Sequence, residues 1–195
     1  RNTENSSYML VAGFDITNNE AASVETFFGA NDTIYANQNN LYIAQTVYEN
    51  GYFSSKCSST LYKFNLENSK VQLQCKGEVK GNLNDQFSMD EHDGNLRIAT
   101  TSESKGKSTN QVYILDKDLK QIGKLENLAK GEKIYSVRFI GKIGYVVTFK
   151  EIDPLFVIDL SDPTNPTVKG KLKIPGYSSY LHPYDETHII GIGYN

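Results

Sequence analysis

The feature that most constrains this chain is an internal repeat of short, strand-like segments. One apolar segment occurs in four copies, at residues 40–44, 95–99, 143–147 and 188–192. Another strand-like stretch precedes each copy, at 33–35, 87–89, 135–137 and 180–182. A third strand, a polar turn and a fourth strand follow the first three copies, and each fourth strand carries a glycine: Gly77, Gly123 or Gly170. The unit is therefore four short strands that recur roughly every 45 to 55 residues, the range of propeller blades.

Short strands that are separated by turn residues at this spacing predict an all-β fold. The four-strand period favours a β-propeller over a β-sandwich, because a sandwich does not need equivalent strands to recur. One four-stranded blade cannot bury both of its faces, whereas blades stacked around an axis can. We therefore expect a β-propeller segment of four-stranded blades. Chance similarity among the strands of a β-sandwich is the alternative.

The predicted blades span approximately residues 32–81, 86–128 and 134–175, with half-blades at 8–29 and 179–195. The first half-blade resembles a third and a fourth strand, and the last supplies a first and a second strand. The halves are complementary, so pairing them would remove exposed edges. Two interpretations stay open. The halves meet, within one chain or by self-association of two chains, or the chain is a fragment whose other blades lie elsewhere.

Charge and hydropathy exclude several kinds of partner. The chain has 195 residues and a net charge of −3, and its Lys and Arg residues are scattered without a long basic run. Nucleic acid and an anionic membrane surface are therefore poor candidates for a partner. No apolar run approaches the roughly 18 residues of a membrane span, so we predict none in this segment. No signal peptide is visible.

Several repeat segments resemble a known family. They include Gly144-Tyr145-Val146-Val147-Thr148-Phe149 and Asp153-Pro154-Leu155-Phe156-Val157-Ile158-Asp159-Leu160-Ser161-Asp162-Pro163. With 86–91, 96–101, 135–139 and 181–185, they resemble the bacterial and archaeal secreted proteins with a C-terminal β-propeller domain, which are distantly related to WD-repeats. The resemblance is close from about residue 77 to 193. It implies a β-propeller fold and a secreted or cell-surface location, and it transfers no catalytic residue.

Of the two cysteines, Cys57 precedes the third strand of the first predicted blade, and Cys75 lies in its fourth strand. A hairpin centred near Leu66 would place them opposite each other, within reach of a disulfide. A hairpin centred on Asn68-Ser69 would miss that register. We expect a disulfide in an oxidising compartment, with two unpaired thiols as the alternative.

Histidines and carboxylates give little support to a catalytic or metal site. His92, His182 and His188 do not have the spacing of a zinc motif, so we expect no metal and no cofactor. Carboxylates cluster at Asp90, Glu91 and Asp93, and at Asp185 and Glu186. Paired carboxylates can hydrolyse glycosides when they face each other, but acidic turn residues are usually solvated.

Binding residues are expected where equivalent blade positions change their chemistry from copy to copy. Asp90, Arg138 and Pro183 are aligned in this way, with Tyr35 in the first copy. Such variation is typical of a surface or of the central channel, where ligands bind, and also of tolerated exposed sites. The candidate ligand-binding residues are Tyr35, Asp90, Arg138, His182, Tyr184 and Asp185.

Three hypotheses about function follow from this sequence. The first is a secreted or cell-surface module that binds a protein, peptide or polysaccharide without catalysis. The second is a hydrolase or lyase that acts on polysaccharide, which requires two carboxyl groups that face each other across a cleft, with Asp90, Glu91 and Asp185 as the candidates. The third is a structural spacer with no ligand.

Overall fold

The computed structural model of the chain describes residues 8–17, 21–28, 33–50, 55–67, 70–104, 106–149, 153–174, 176–185 and 188–194. These residues form sixteen β-strands and one short 3-10 turn. The strands are arranged in three four-stranded sheets and two two-stranded sheets, and neighbouring strands are antiparallel. The predicted all-β class and the four-stranded blades are confirmed. No helix in the described part of the chain is long and apolar enough to cross a bilayer.

The three complete sheets are blades 1, 2 and 3, and each follows the order of its strands in the chain. Blade 1 contains β3 (Thr33–Ala36), β4 (Asn40–Asn50), β5 (Ser55–Glu67) and β6 (Lys70–Lys80). Blade 2 contains β7 (Met89–His92), β8 (Asn95–Ser104), β9 (Lys107–Leu115) and β10 (Gln121–Leu128). Blade 3 contains β11 (Lys133–Ile140), β12 (Ile143–Phe149), β13 (Asp153–Asp159) and β14 (Thr167–Ile174). The predicted first strand of blade 2 begins later than expected, because Gln86–Ser88 form the 3-10 turn.

Two half-blades flank these sheets. The N-terminal half-blade pairs β1 (Tyr8–Gly13) with β2 (Ser23–Phe28), and the C-terminal half-blade pairs β15 (Tyr177–Pro183) with β16 (Ile189–Tyr194). The N-terminal half-blade packs on blade 1, because Met9 and Val11 join a buried cluster there. The C-terminal half-blade lies against β11. The described strands of the two half-blades form separate sheets, so they do not complete one blade within this chain.

Turn chemistry sets the register of the hairpins that lead into the blades. In blade 2, His92 lies opposite Asn95, which leaves Asp93 and Gly94 as a two-residue loop. Both loop residues have positive φ angles, 49° and 75°. Asp-Gly is the sequence that such a tight turn favours, because glycine has no Cβ to clash there. The turn therefore places Asp90 opposite Arg97, two pairs further along the hairpin.

The cores lie between blades. Side chains of blades 1 and 2 form one buried cluster, which includes Leu61 and Val79 from blade 1 and Leu96 and Ile98 from blade 2. A second cluster joins blades 2 and 3 in the same way. Blades 1 and 2, and blades 2 and 3, thus bury facing surfaces against each other, as the repeat predicts.

The register of β5 and β6 shows that the predicted disulfide is wrong. Glu67 lies opposite Lys70, so the hairpin is centred on 68–69 and not near Leu66. Cys75 therefore pairs with Lys63, whereas Cys57 lies six residues away along β5. Six strand residues span about 20 Å, whereas a disulfide joins Cα atoms about 4.4–6.8 Å apart. Cys57 and Cys75 are not bonded to each other.

Candidate ligand-binding site

A cavity of about 340 Å³ opens where the first strands of the three blades converge. Residues of β3, the 3-10 turn, β7 and β11 form its walls. The lining residues are Ile34, Tyr35, Ala36, Gln86, Phe87, Met89, Asp90, Arg138 and Phe139. The cavity lies at the inner edge of the blades, and three of the six predicted ligand-binding residues line it.

The hairpin registers explain why Tyr35, Asp90 and Arg138 meet at this cavity. Each lies on the first strand of its blade, opposite the third residue of the recurring second-strand segment. In the C-terminal half-blade, that opposite residue is Ile190, and its partner is His182. The equivalent position is therefore His182 and not Pro183, which the sequence alignment placed there.

Asp90 is neutralised inside the protein by Arg97. The Arg97 Nε donates to Asp90 Oδ2 over 2.9 Å, and Nη2 donates to the same oxygen. The Arg97 Nη1 donates to the carbonyl oxygen of Gly141, and the guanidinium carbon lies 5.1 Å from the centroid of the Phe139 ring. Burial raises the pKa of Asp90, while Arg97 opposes that rise. The ion pair lies within blade 2 and leaves no free charge on Asp90, while the contacts of Arg97 with Gly141 and Phe139 link blade 2 to blade 3.

Glu91 faces away from the cavity, toward blade 1. Its Oε2 accepts hydrogen bonds from Asn37 Nδ2, Asn40 Nδ2 and the Tyr42 hydroxyl, over 2.9, 2.9 and 2.7 Å. Burial and this carboxylate raise the pKa of Tyr42 well above its ordinary value. Successive residues of a strand point to opposite faces, so Asp90 and Glu91 diverge. Glu91 therefore ties blades 1 and 2 together.

Tyr35 is the cavity residue from blade 1. Its hydroxyl oxygen accepts a hydrogen bond from the backbone N–H of Glu91, over 3.1 Å. Its ring lies 6.0 Å from the ring of Tyr42. Burial raises the pKa of Tyr35, although the Glu91 N–H opposes that rise. Tyr35 is thus held in place as an uncharged aromatic wall.

Arg138 differs from the other charged groups at the cavity. Its Nε donates to the carbonyl oxygen of Leu181 over 2.7 Å. Its guanidinium carbon lies 3.6 Å from the centroid of the Phe87 ring and 5.0 Å from that of Tyr180. The Nη2 atom is buried, and no residue in the described ranges accepts a hydrogen bond from it. Among the described residues, no carboxylate forms an ion pair with Arg138.

The other predicted binding residues lie outside the cavity walls. His182 is exposed, and its Nδ1 lies 3.3 Å from the Tyr180 hydroxyl. Tyr184 is 71% exposed at the turn between β15 and β16. Asp185 lies in the same turn, where its carboxylate is 2.9 Å from His188 Nδ1 and accepts the His188 backbone N–H over 2.8 Å. Tyr184 and Asp185 thus belong to a separate exposed turn, and His182 lies near the end of β15 that leads into it.

The described geometry does not form a facing pair of carboxylates. Asp90 is paired with Arg97, Glu91 accepts three hydrogen bonds toward blade 1, and Asp185 belongs to the β15–β16 turn. Neither Glu91 nor Asp185 lines the cavity. Within the described ranges, no three His, Cys, Asp or Glu side chains are grouped closely enough to hold a metal ion.

A second groove, of about 580 Å³, contains Lys63 and Cys75. The Lys63 ammonium donates to the carbonyl oxygen of Lys117 over 3.1 Å, and the Cys75 thiol lies 3.8 Å from the same oxygen. Burial raises the pKa of the Cys75 thiol. A thiol reacts as a thiolate, so this environment does not activate Cys75 as a nucleophile.

Sequence reasoning did not assign roles to Phe87, Tyr180 and Arg97. Phe87 and Tyr180 occur at equivalent repeat positions, which is a signal of a shared role, but their stacking on Arg138 depends on contact between blades. Arg97 could have been found from the Asp-Gly turn, since that turn sets it opposite Asp90.

Comparison with known proteins gives one family and two relatives. A family model described as a beta propeller domain matches residues 1–195. A protein of Methanocaldococcus jannaschii, named only as uncharacterized, is 54% identical over 134 residues, which is 67% of this chain and 21% of that protein. An uncharacterized protein of Archaeoglobus fulgidus is 43% identical over 143 residues, 72% of this chain and 23% of its own length. The chain thus spans about a fifth of the length of these relatives.

Proposed function

The chain belongs to the beta propeller domain family, and from this we propose that it is a non-catalytic module that binds an extracellular protein, peptide or polysaccharide at the inner-edge cavity. One observation carries the proposal. Arg138 lies in the cavity wall, stacked on aromatic rings, with a buried donor that no residue in the described part of the chain satisfies. A buried donor without an acceptor lowers the stability of the folded protein by about 1–3 kcal/mol. Its presence at a cavity is explained if a bound ligand supplies the acceptor.

The lining supports binding more than chemistry. Tyr35 is fixed by the Glu91 N–H, and Asp90 is neutralised by Arg97, so neither is poised to transfer a proton. Ligand pockets combine apolar walls with a few convergent polar groups. The cavity has apolar walls from Ile34, Met89 and Phe139 beside Arg138. This combination favours the binding module over the polysaccharide hydrolase or lyase.

The test is a thermal-shift panel of peptides, neutral and acidic oligosaccharides and divalent cations. Ligands that bind only the folded state raise its stability, by about 2.7 kcal/mol at a hundredfold excess over Kd. Ile34→Trp, which fills the cavity mouth, should abolish any shift. Ile190→Trp is the matched control, because Ile34 and Ile190 are 50% and 46% exposed and only Ile34 lines the cavity.

Two results would contradict this function. If no ligand class shifts the melting temperature, the structural-spacer hypothesis is preferred. If Ile34→Trp and Ile190→Trp respond like the unmodified chain, binding occurs away from the cavity.

A secreted or cell-surface location is part of the same proposal. Its support is the resemblance of the repeat segments to secreted propeller proteins. Protease treatment of intact source cells should degrade the native protein while a cytoplasmic marker survives. Survival of both proteins on intact cells, with degradation of both after lysis, would contradict this location.

We also propose self-association of two copies through the half-blades. The outward faces of β1 and β16 expose apolar side chains: Tyr8, Leu10, Ile192 and Tyr194. The N-terminal half-blade corresponds to the third and fourth strands of a blade, and the C-terminal half-blade to the first and second strands. Pairing of β16 from one copy with β1 from another would therefore complete a four-stranded blade. Sedimentation velocity over a concentration series should show a dimer or larger closed species. A monomer throughout the series would contradict it.

A further inference from the structure

The charges at the cavity leave one group without a counter-charge. Asp90 is paired with Arg97, and the described residues offer Arg138 no carboxylate. Gln86, the remaining polar side chain in the wall besides Tyr35, is uncharged. The cavity is therefore positively charged at neutral pH. A ligand with one negative charge matches a single guanidinium.

The position of Arg138 is fixed before any ligand arrives. Its Nε is committed to the Leu181 carbonyl oxygen, and its plane is held by the rings of Phe87 and Tyr180. Neither terminal nitrogen donates to a described residue. A guanidinium whose terminal N–H groups are not used by the protein pairs favourably with a carboxylate. A donor that is already oriented loses less entropy on binding.

The rest of the wall favours an apolar group over a sugar. Ile34, Met89 and Phe139 offer no hydrogen bonds, and the Tyr35 hydroxyl and the Asp90 carboxylate already have internal partners. A sugar ring would bring several hydroxyl groups, each costly to bury without a partner. An apolar side chain pays no such penalty. The volume of about 340 Å³ is near the lower end for ligand pockets.

We propose that the cavity binds a peptide in which a carboxylate lies next to an apolar side chain, with the carboxylate on Arg138 and the side chain against Ile34, Met89 and Phe139. This inference rests on the proposed binding function and specifies its ligand. The carboxylate can be the C-terminus of a peptide or an Asp or Glu side chain, because both present the same two oxygens.

Calorimetric titration with matched probes tests the inference. The first pair is N-acetyl-leucine and N-acetyl-leucinamide, which differ only in the carboxylate. The second pair is the tripeptides acetyl-Leu-Asp-Leu-amide and acetyl-Leu-Asn-Leu-amide, which place the charge on a side chain. We expect at least one acidic probe to bind at least tenfold more tightly than its neutral partner, and added salt should reduce that ratio. The pair that shows the difference identifies the source of the carboxylate.

Two variants assign the effect to Arg138. Arg138→Met keeps an unbranched side chain between Phe87 and Tyr180 and should remove the preference for the acidic probe. Lys130→Met makes the same change in net charge at an exposed residue outside the cavity, and it should keep the preference. Melting curves of both variants establish that they fold. Arg138→Lys should retain only part of the preference, because an ammonium cannot bind two oxygens in a fork.

The outcomes separate this inference from the function on which it rests. Equal binding of acidic and neutral probes, or an unchanged preference in Arg138→Met, would overturn it. Binding of oligogalacturonate at the cavity, without binding of any peptide probe, would overturn the peptide assignment and keep the binding function. If no titration probe binds, but Ile34→Trp abolishes a ligand-induced shift in the thermal panel, the acidic-peptide ligand is rejected and the binding function is kept.

Discussion

The junction between blades 2 and 3 and the outer face of blade 3 present the same repeat position in different surroundings. Gly123 on β10 and Gly170 on β14 are equivalent fourth-strand glycines. A Cβ added at Gly123 would lie 3.1 Å from the Pro163 carbonyl carbon and still closer to its oxygen. At Gly170, no described atom lies within 4 Å of such a Cβ. Glycine is thus required at this repeat position where the next blade packs against it. At Gly123, the packing segment is the turn that precedes the fourth strand of blade 3.

A second pair of equivalent positions, in the turn before the fourth strand, also differs according to whether a neighbouring blade covers it. Asp159 accepts the backbone N–H of Ser161 over 2.9 Å, and Asp15 accepts that of Thr17 over 2.8 Å. The residue inside each turn is apolar, but Leu160 is 5% exposed whereas Ile16 is 90% exposed. The local sequence therefore specifies the turn, and the preceding blade supplies the burial.

The largest effect is expected at Arg97, which crosses the junction between blades 2 and 3. Arg97→Met should lower the free energy of unfolding at neutral pH by up to about 3–5 kcal/mol, because it leaves the partly buried Asp90 carboxylate without its partner. Arg138→Met leaves no carboxylate unpaired and should cost less than about 2 kcal/mol, because the lost ring and carbonyl contacts are partly offset by removal of a buried donor without a described partner. Urea denaturation compares the two. Equal losses would contradict the distinction between them.

The loss in Arg97→Met should also depend on pH. Burial raises the pKa of Asp90, and removal of Arg97 should raise it further. A carboxyl with a raised pKa in the folded state binds its proton more readily there than in the unfolded chain. Its destabilising effect is therefore present at neutral pH and declines as the pH falls through the raised pKa. Urea denaturation at neutral and mildly acidic pH should show a smaller difference from the unmodified chain in acid. A difference independent of pH would show that the loss is one of packing.

The next effect contrasts Leu160 with Ile16. Leu160→Ala should cost about 2–5 kcal/mol, because a buried leucine leaves a cavity. Ile16→Ala should change stability by no more than about 0.5 kcal/mol, as is usual at the surface. If Ile16→Ala is as costly as Leu160→Ala in dilute solution, the N-terminal half-blade is covered there. A cost that increases with protein concentration would support self-association.

The parts of the structure that the sequence predicts are those set by local chemistry. Strand alternation and the Asp93-Gly94 turn determine the pairing of β7 with β8, and so they bring Asp90 to the inner edge. The equivalent hairpins do the same for Tyr35 and Arg138. Three predicted residues therefore line one cavity, although nothing in their local sequence states how close the blades lie.

Features that depend on a single residue of register, or on contact between blades, could not be predicted. The prediction of a disulfide was wrong because a shift in the centre of the β5–β6 hairpin places Cys75 opposite Lys63, away from Cys57. The environment of Arg138 combines Phe87, which comes from a 3-10 turn before blade 2, with Tyr180 from the C-terminal half-blade. Such a stack follows from the packing angle between blades, which local propensity does not determine.

The smallest effect distinguishes Gly123 from Gly170. Gly123→Ala should cost about 1–3 kcal/mol or more, because the Pro163 backbone must move to admit a Cβ. Gly170→Ala should be neutral or stabilising by up to about 1 kcal/mol, since the site is open and alanine restricts the unfolded chain. Urea denaturation measures both. An equal loss for the two variants would mean that strand propensity, and not the neighbouring blade, selects glycine. A loss at Gly170 that appears only at high protein concentration would show that another copy covers this face of blade 3.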